Sequence, residues 1–320
     1  MSYTGARIKS SVRILELPEI RRALVDSEIV DLMRDALLAQ FRGECETPLP
    51  MHLDIAAEQA EVHMKSSYRR GGRYFALKVA STFPSNVQRG LATGNGMMLL
   101  ASAATGEPVA LLADAGHLTD VRTAAAAAMI ARELGRGDRA LGILGTGVQA
   151  RLQAQMHATI LNLDEMWIWG RDAARAQDCR RDLKSRMPHA KVEIAVSPAE
   201  IARRTRLIVT ATASRRAILM AEDVQPGTHI SAVGSDGPGK QELEPAILQR
   251  ASLLLADSRR QCEKLGELQH APSEWKRARE IGEFCLDPQA PDRDDVTVCD
   301  FTGLGVEDLY IAEYCYERSL

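Results

Sequence analysis

The stretch from Ala140 to Ala150 constrains this chain more than any other. It reads Ala140-Leu141-Gly142-Ile143-Leu144-Gly145-Thr146-Gly147-Val148-Gln149-Ala150, a short apolar run that ends in a glycine turn. The turn opens into Arg151–Ala158, a good helical sequence. Strand, glycine turn and helix in that order form the dinucleotide fingerprint, with Ala150 in the place of the third glycine. Gly145 allows a tight turn, Gly147 lets a pyrophosphate approach the backbone, and Ala150 lets helix and strand pack closely. The free N–H groups and dipole of the helix start then face the phosphates. Gly145, Thr146, Gly147, Val148 and Gln149 are the expected cofactor turn. The string alone also occurs as a plain βα turn, so the flanking strand and helix carry the argument.

Beyond the turn the chain alternates strand and helix. Strands are predicted at Glu165–Trp169, Lys191–Val196, Leu207–Thr212, His229–Gly234 and Ser252–Asp257, with helices at Asp172–Met187 and Pro198–Arg204. With the first strand these make six, which predicts an α/β fold with a Rossmann doubly wound parallel sheet. Residues 259–283 read as mainly helical, Pro288–Asp295 as a loop and Val296–Phe301 as one more strand. Gly303-Leu304-Gly305 leads into a last helix, from Val306 to about Arg318. Ahead of the turn the pattern differs. A strand near Val12–Leu15 and an amphipathic helix over Asp26–Phe41 precede a turn-rich break at Cys45–Pro50. Strands at Val62–Tyr68, Tyr74–Ser81, Asn95–Ser102 and Pro108–Ala113, joined by short turns, predict an antiparallel sheet in a smaller α+β domain. An alanine-rich helix from Leu118 to about Leu134, capped by Thr119 or Asp120, links the two parts.

Composition narrows the class. The 320 residues are 45% apolar and 26% charged with a net charge of -3, an ordinary soluble balance. Neither nucleic acid nor a membrane is expected as a partner. Met1–Arg7 is not followed by a secretory apolar region. Cys45, Cys179, Cys262, Cys285, Cys299 and Cys315 form no C-x-x-C pair and read as reduced thiols, which fits the cytoplasm. The seven histidines show no metal-ligand spacing, so no metal is expected.

Candidate site residues gather at the predicted strand ends. Gly170-Arg171-Asp172 ends the second strand; Arg171 suits the 2′-phosphate of NADP, and Asp172 reads either as the ribose ligand of NAD or as a helix cap. Thr210, Ala211 and Thr212 give small residues at the crevice, as do Val233 and Gly234. Asp236, at the tip of Gly234–Leu243, is a carboxylate placed to manage a proton, or simply a turn residue. Lys78 sits in an apolar strand, where a charge is costly unless paired or facing a site. Arg122 lies near a helix start, a poor place for a cation on dipole grounds. Both placements make sense if an anionic substrate binds there; an edge lysine and an interdomain ion pair are the plainer alternative. Lys65 fits a solvated strand face as well as a site.

Taken in order, Lys78-Val79 with Pro84-Ser85-Asn86, Leu118–Ala126, Gly145–Ala150, Asp236–Leu243 and Thr302–Leu309 resemble the ornithine cyclodeaminase/mu-crystallin family over nearly the whole chain. The resemblance implies a homodimer formed through antiparallel strands, with residues 1–120 and 303–320 as the substrate and dimer domain and 121–302 as the dinucleotide domain. It implies that Lys78 and Arg122 bind the substrate carboxylate, that Asp236 is the acid/base at the substrate nitrogen, and that Val306 lies near the nicotinamide. One departure stands out. Many members carry an arginine just after a proline ahead of the first sheet strands, whereas Pro50 here is followed by Met51 and His52. His52, Lys65 or Ser67 would compensate. The His63-Met64-Lys65-Ser66 run resembles the ectoine-utilisation branch, and within it the members acting on iminosuccinate. The expectation is therefore NAD-dependent, or NADP-dependent, reduction of a 2-imino acid, foremost iminosuccinate to L-aspartate. Ornithine cyclodeamination and crystallin-like cofactor binding without turnover are the alternatives.

Overall fold

The computed structural model describes residues 12–135 and 137–320. Met1–Arg7, read above for a leader, lies outside them. Strand β1 (Arg13–Glu16) leads through α1 (Leu17–Ala23) into α2 (Asp26–Phe41). Ile29, Val30, Met33, Ala36 and Leu37 recur at helical spacing and form the buried stripe of α2. Leu32 and Gln40 are half-buried at its rim.

The predicted break at Cys45–Pro50 holds a short strand, β2 (Cys45–Glu46), and is followed by an unexpected one, β3 (Met51–Ile55). Then come β4 (Ala60–Arg69), β5 (Tyr74–Thr82), β6 (Gly94–Ser102) and β7 (Pro108–Ala113). The sheet runs β1-β7-β6-β5-β4-β2, with β3 also on β4. All its pairs are antiparallel except β1 with β7. Lys65 lies directly opposite Lys78 in the β4–β5 register.

Helix α3 (His117–Glu133) follows. Neither Thr119 nor Asp120 caps it. Its N-cap is Gly116, in the left-handed region at φ +84°, and the Asp114 carboxylate accepts the Leu118 N–H at 2.7 Å. That carboxylate meets the need expected of the cap, a contribution of about 1 kcal/mol. The earlier start moves Arg122 to the second helical turn. Ala124 to Ala128 are all fully buried, so neighbouring elements approach on every side.

The parallel sheet is built from β8 (Ala140–Leu144), α4 (Val148–Ile160), β9 (Glu165–Trp169), α5 (Ala173–Arg186), β10 (Lys191–Ile194), α6 (Pro198–Arg204) and β11 (Leu207–Thr210). It continues through β12 (Arg215–Leu219), β13 (His229–Ala232), β14 (Gln241–Leu243), α7 (Pro245–Arg250) and β15 (Leu253–Ala256). Residues 259–283 are less helical than expected. They break into α8 (Arg259–Leu265), short 3₁₀ turns, β16 (Arg279–Glu280) and the start of α9 (Ile281–Leu286). Strand β17 (Thr297–Asp300) completes the sheet, in the order β10-β9-β8-β11-β13-β17-β15-β16. The extra strand expected at Val296–Phe301 therefore inserts between β13 and β15. Strands β12 and β14 form a separate pair beside it. The order reverses between β8 and β11, and the crevice of a doubly wound sheet opens at such a point, outside the carboxyl ends.

The last helix, α10 (Gly305–Arg318), returns to pack on β4, β5 and β6. A Cβ on Gly305 would stand 2.5 Å from the Ser66 carbonyl oxygen, so glycine lets the helix start press against β4. One apolar core runs from Leu15 and α2 through α3 and α10 to Ile143 of the parallel sheet. No described helix is long and apolar enough to cross a membrane.

Candidate active site

A cleft of about 200 Å³ lies between the inner face of the antiparallel sheet and the carboxyl edge of the parallel sheet. Glu61, His63, Lys65 and Lys78 line one wall, Thr119, Asp120 and Arg122 the floor, and Gln149, Val233, Asp236 and Thr302 the other side.

Its inner end is a buried charge cluster. Lys78 Nζ stands 2.7 Å from Asp308 Oδ2, and Arg122 Nε stands 3.1 Å from Asp308 Oδ1. A second arm of Arg122 reaches Glu307 Oε2 at 3.3 Å. Lys65 Nζ donates to the carbonyl oxygens of Thr302 at 3.0 Å and Gly303 at 2.7 Å. Those carbonyls are fixed because Asp257 accepts the Thr302 and Gly303 N–H groups at 2.8 and 2.6 Å. Gly303, at φ +71°, has no Cβ where the Arg122 guanidinium lies. Burial drives the Lys78 ammonium down to about 7; Asp308 opposes this, and Arg122 and Lys65 add to it. Burial, then Arg122, also lowers Lys65. Burial works against Arg122 too, but Asp308 and Glu307 outweigh it and hold its pKa high. Asp308 is raised by burial yet held low overall by Lys78 and Arg122. Burial raises Glu307 against the pull of Arg122. The asymmetry is physical: Asp308 has two cations, so it stays charged even when Lys78 gives up its proton.

The outer end is more open. Lys240 Nζ bridges Asp236 Oδ1 at 2.7 Å and Glu61 Oε1 at 2.9 Å. Desolvation inside the cleft pushes Asp236 up although its side chain is half-open, but Lys240 outweighs it and keeps the carboxylate below its usual range. Glu61 is held at about 2, by His63 first and Lys240 after, against burial. Lys240 is raised because the two carboxylates outweigh its burial.

At the glycine turn, Gly145 has φ +141°, and a Cβ there would stand 2.5 Å from the Ala211 carbonyl oxygen. Gly147 is the N-cap of α4, with open space where its Cβ would be. No described side chain caps α4, and its first turn carries no acidic residue. By contrast, Asp172 caps α5 and Ser197 caps α6. The free donors and vacant Gly147 cradle fit a phosphate group. Thr146 also packs against Gly170. Val148 is exposed beside the turn, and Gln149 reaches across to donate to the Asp120 side chain at 3.0 Å.

The remaining expected residues divide. Asp172 accepts the N–H groups of Ala174 and Arg175, so its carboxylate is spent on capping, while Arg171 is exposed. The Thr210 and Thr212 hydroxyls donate to Glu242, which also accepts the Gly234 N–H, so they brace the crevice from behind. Burial holds the Glu242 carboxyl at about 7. Ala211 packs on the turn and Val233 lines the cleft. Val306 is fully buried and off the cleft wall. Ser67 is buried against Thr47, at 2.9 Å, away from the cleft. His52 bonds Asp54 at 2.9 Å and sits beside His63 at the rim. Neither Ser67 nor His52 lies beside Lys78 and Arg122, whereas Lys65 sits opposite Lys78 and lines the same cleft. Sequence reasoning missed Glu307, Asp308, Glu61, His63, Asp257 and Lys240. Adjacent carboxylates at the first turn of α10 read as ordinary dipole partners; their burial was the missing signal.

A sequence profile of the ornithine cyclodeaminase/mu-crystallin family matches residues 13–320. A protein of Rhizobium meliloti bearing a provisional dehydrogenase name is 38% identical over 317 residues, 96% of each chain. The iminosuccinate reductase of Paracoccus denitrificans is 31% identical over 272 residues, 82% of each chain. Its solved complex with NAD+ superposes with a TM-score of 0.84 at 26% identity, covering 96% of both chains. An archaeal alanine dehydrogenase dimer with bound NAD gives 0.87 at 27% identity, covering 96% of this chain and 95% of that one.

Proposed function

The chain belongs to the ornithine cyclodeaminase/mu-crystallin family, and from that premise we propose that it is an NAD(H)-dependent oxidoreductase that reduces a 2-imino acid to an L-amino acid. The observation that carries the reading is the inner charge cluster. Lys65, Lys78 and Arg122 converge at the inner end of the cleft, where Lys78 and Arg122 pair with Asp308 and Glu307 and Lys65 is held by backbone carbonyls. Asp120 stands nearby, with its side chain accepting from Gln149. Three cations gathered at one end of the cleft suit a substrate carboxylate, with Lys78 and Arg122 as its ligands. That carboxylate places C2 and its nitrogen toward Asp236 and Val233, beside the crevice of the glycine turn.

When bound there, the nicotinamide supplies the hydride that C2 receives. The chain's own residues do the rest. Lys78 and Arg122 orient the imino acid, and Asp236, or a water it holds, manages the proton at nitrogen. Residues 1–120 and 303–320 then serve as the substrate and dimer part and 121–302 as the dinucleotide part. The uncovered outer sheet face, with Ile14, Met51, Leu53, Leu77, Val79 and Met97 exposed, supports a homodimer through the antiparallel strands. The occupied carboxylate of Asp172 and the exposed Arg171 support acceptance of NADPH beside NADH.

For the substrate itself we favour iminosuccinate, giving L-aspartate. The Paracoccus denitrificans relative supports it, and Lys240 puts an ammonium on Glu61 and Asp236, both of which line the cleft. A small neutral imino acid is the second reading, favoured by the fact that Lys240 is already shared by Glu61 and Asp236. The test is coenzyme oxidation, followed by nicotinamide absorbance, with ammonia and oxaloacetate, pyruvate or a cyclic imine. Oxidation with oxaloacetate supports L-aspartate formation. Oxidation with pyruvate alone overturns it, and no oxidation with any imine sinks the reductase reading. Ornithine giving proline without net absorbance change would establish cyclodeamination instead.

A further inference from the structure

Strands β3 and β4 pair with His52 opposite His63 and Asp54 opposite Glu61. Side chains alternate along a strand, so these four make a two-by-two block on one face. The ligating atoms of His52, Glu61 and His63 all lie within 4.8 Å of one another. His63 Nε2 is 3.6 Å from Glu61 Oε2. That is ion-pair range, longer than a well-formed hydrogen bond. It is close to the edge of about 3.3–3.5 Å joining two ligands of a tetrahedral ion with bonds of about 2.0–2.1 Å. The two imidazole rings stand nearly perpendicular, at 75° with centroids 4.7 Å apart, so their nitrogens converge rather than stack. His52 Nε2 is already held by Asp54 Oδ1 at 2.9 Å, the carboxylate–imidazole contact that orients a metal-binding histidine through its other nitrogen.

We propose that His52, Glu61 and His63 bind a divalent transition-metal ion, zinc foremost, at the mouth of the cleft. Two imidazoles and one carboxylate suit zinc, nickel or copper; magnesium and calcium favour all-oxygen sets. The ion sits on Glu61 Oε2, leaving Oε1 to its contact with Lys240 Nζ. Three protein ligands leave a fourth position open, and because Glu61 and His63 line the cleft, that position faces it. Histidine spacing along the chain hides this cluster, since its ligands come from two paired strands rather than one segment. All six cysteines are buried and do not compete as ligands.

The experiment is calorimetric titration of the full chain with zinc chloride, backed by the visible spectrum after cobalt substitution. One ion per chain and the intense bands of tetrahedral cobalt are expected. His52→Ala and His63→Ala each weaken binding by about a hundredfold, and Asp54→Asn by about tenfold. His189→Ala leaves it unchanged. If His63→Ala misfolds, His63→Gln takes its place. Wild-type affinity in the His52→Ala/His63→Ala double variant, or no saturable binding by the wild-type chain, overturns the site. The titration involves neither coenzyme nor imino acid, so its failure is separate from failure of the reductase reading.

Discussion

The two ends of the cleft are built from the same strand pair yet solve opposite problems. At the inner end, Lys78, Arg122, Glu307 and Asp308 are each at most 4% exposed, and their polar atoms are locked onto one another. At the outer end, one ammonium is shared by two carboxylates, and Asp236 keeps 48% of its side chain open. A buried, interlocked network resists rearrangement and favours a group that matches its fixed donors. A half-open network trades partners at low cost. The inner end is thus suited to the part every substrate shares, the carboxylate beside C2. The outer end is suited to the part that differs.

Removing an inner cation should break this contrast most. Lys78→Ala leaves Asp308 with Arg122, so the fold survives while the substrate carboxylate loses a ligand; turnover should fall by about 10²–10³ with coenzyme binding intact. Wild-type turnover by this variant would remove Lys78 from the site. Arg122→Lys keeps the charge but not the fork that reaches Glu307 and Asp308 together. Its KM should rise about tenfold to a hundredfold in steady-state assays, and an unchanged KM would mean that charge alone suffices.

The same contrast predicts a pH response. Lys78 sits near 7 against an ordinary 10.5, lowered chiefly by burial. Its ammonium is present below that value and lost above it, so kcat/KM for an imino acid should fall by up to about tenfold per pH unit above 7. In Lys78→Arg that decline should disappear from the profile, because arginine stays charged. For stability the sign is opposite: an ammonium with a depressed pKa penalises the fold below about 7, and the penalty lifts as pH rises toward 10.5. Thermal melts of Lys78→Met should lack that rise.

Much of this was legible in the sequence. Alternation of short apolar runs with helices marked the parallel sheet, and the helix Asp26–Phe41 matched to the residue. Strand β3 was hidden because Pro48 and Pro50 read as a turn, although Met51, Leu53 and Ile55 alternate with His52 and Asp54. Strands β12 and β14 were hidden because their sequences, Arg215–Leu219 and Gln241–Leu243, are short and open on polar residues. In the site, Lys78 and Arg122 stood out because each is a cation where none is cheap. Glu307 and Asp308 did not, since a carboxylate at a helix start is ordinary on the surface and unusual only when buried. Burial is set by how α10 returns across β4, and no local pattern encodes that return.

The smallest effect expected belongs to the outer end, and it decides what that end reads. Lys240→Gln removes the ammonium between Glu61 and Asp236 while keeping a donor near both. With a neutral side chain on the substrate, the variant should change KM by less than about fivefold, since rearranging this half-open network costs about 1 kcal/mol or less. With iminosuccinate a distal carboxylate bound by Lys240 would lose that ammonium and meet two carboxylates instead. Its KM should then rise about tenfold. The ratio of the two KM changes is the measurement. A ratio near one would mean that the distal carboxylate does not reach Lys240, and that the mouth of the cleft selects by its net negative charge rather than by its lysine.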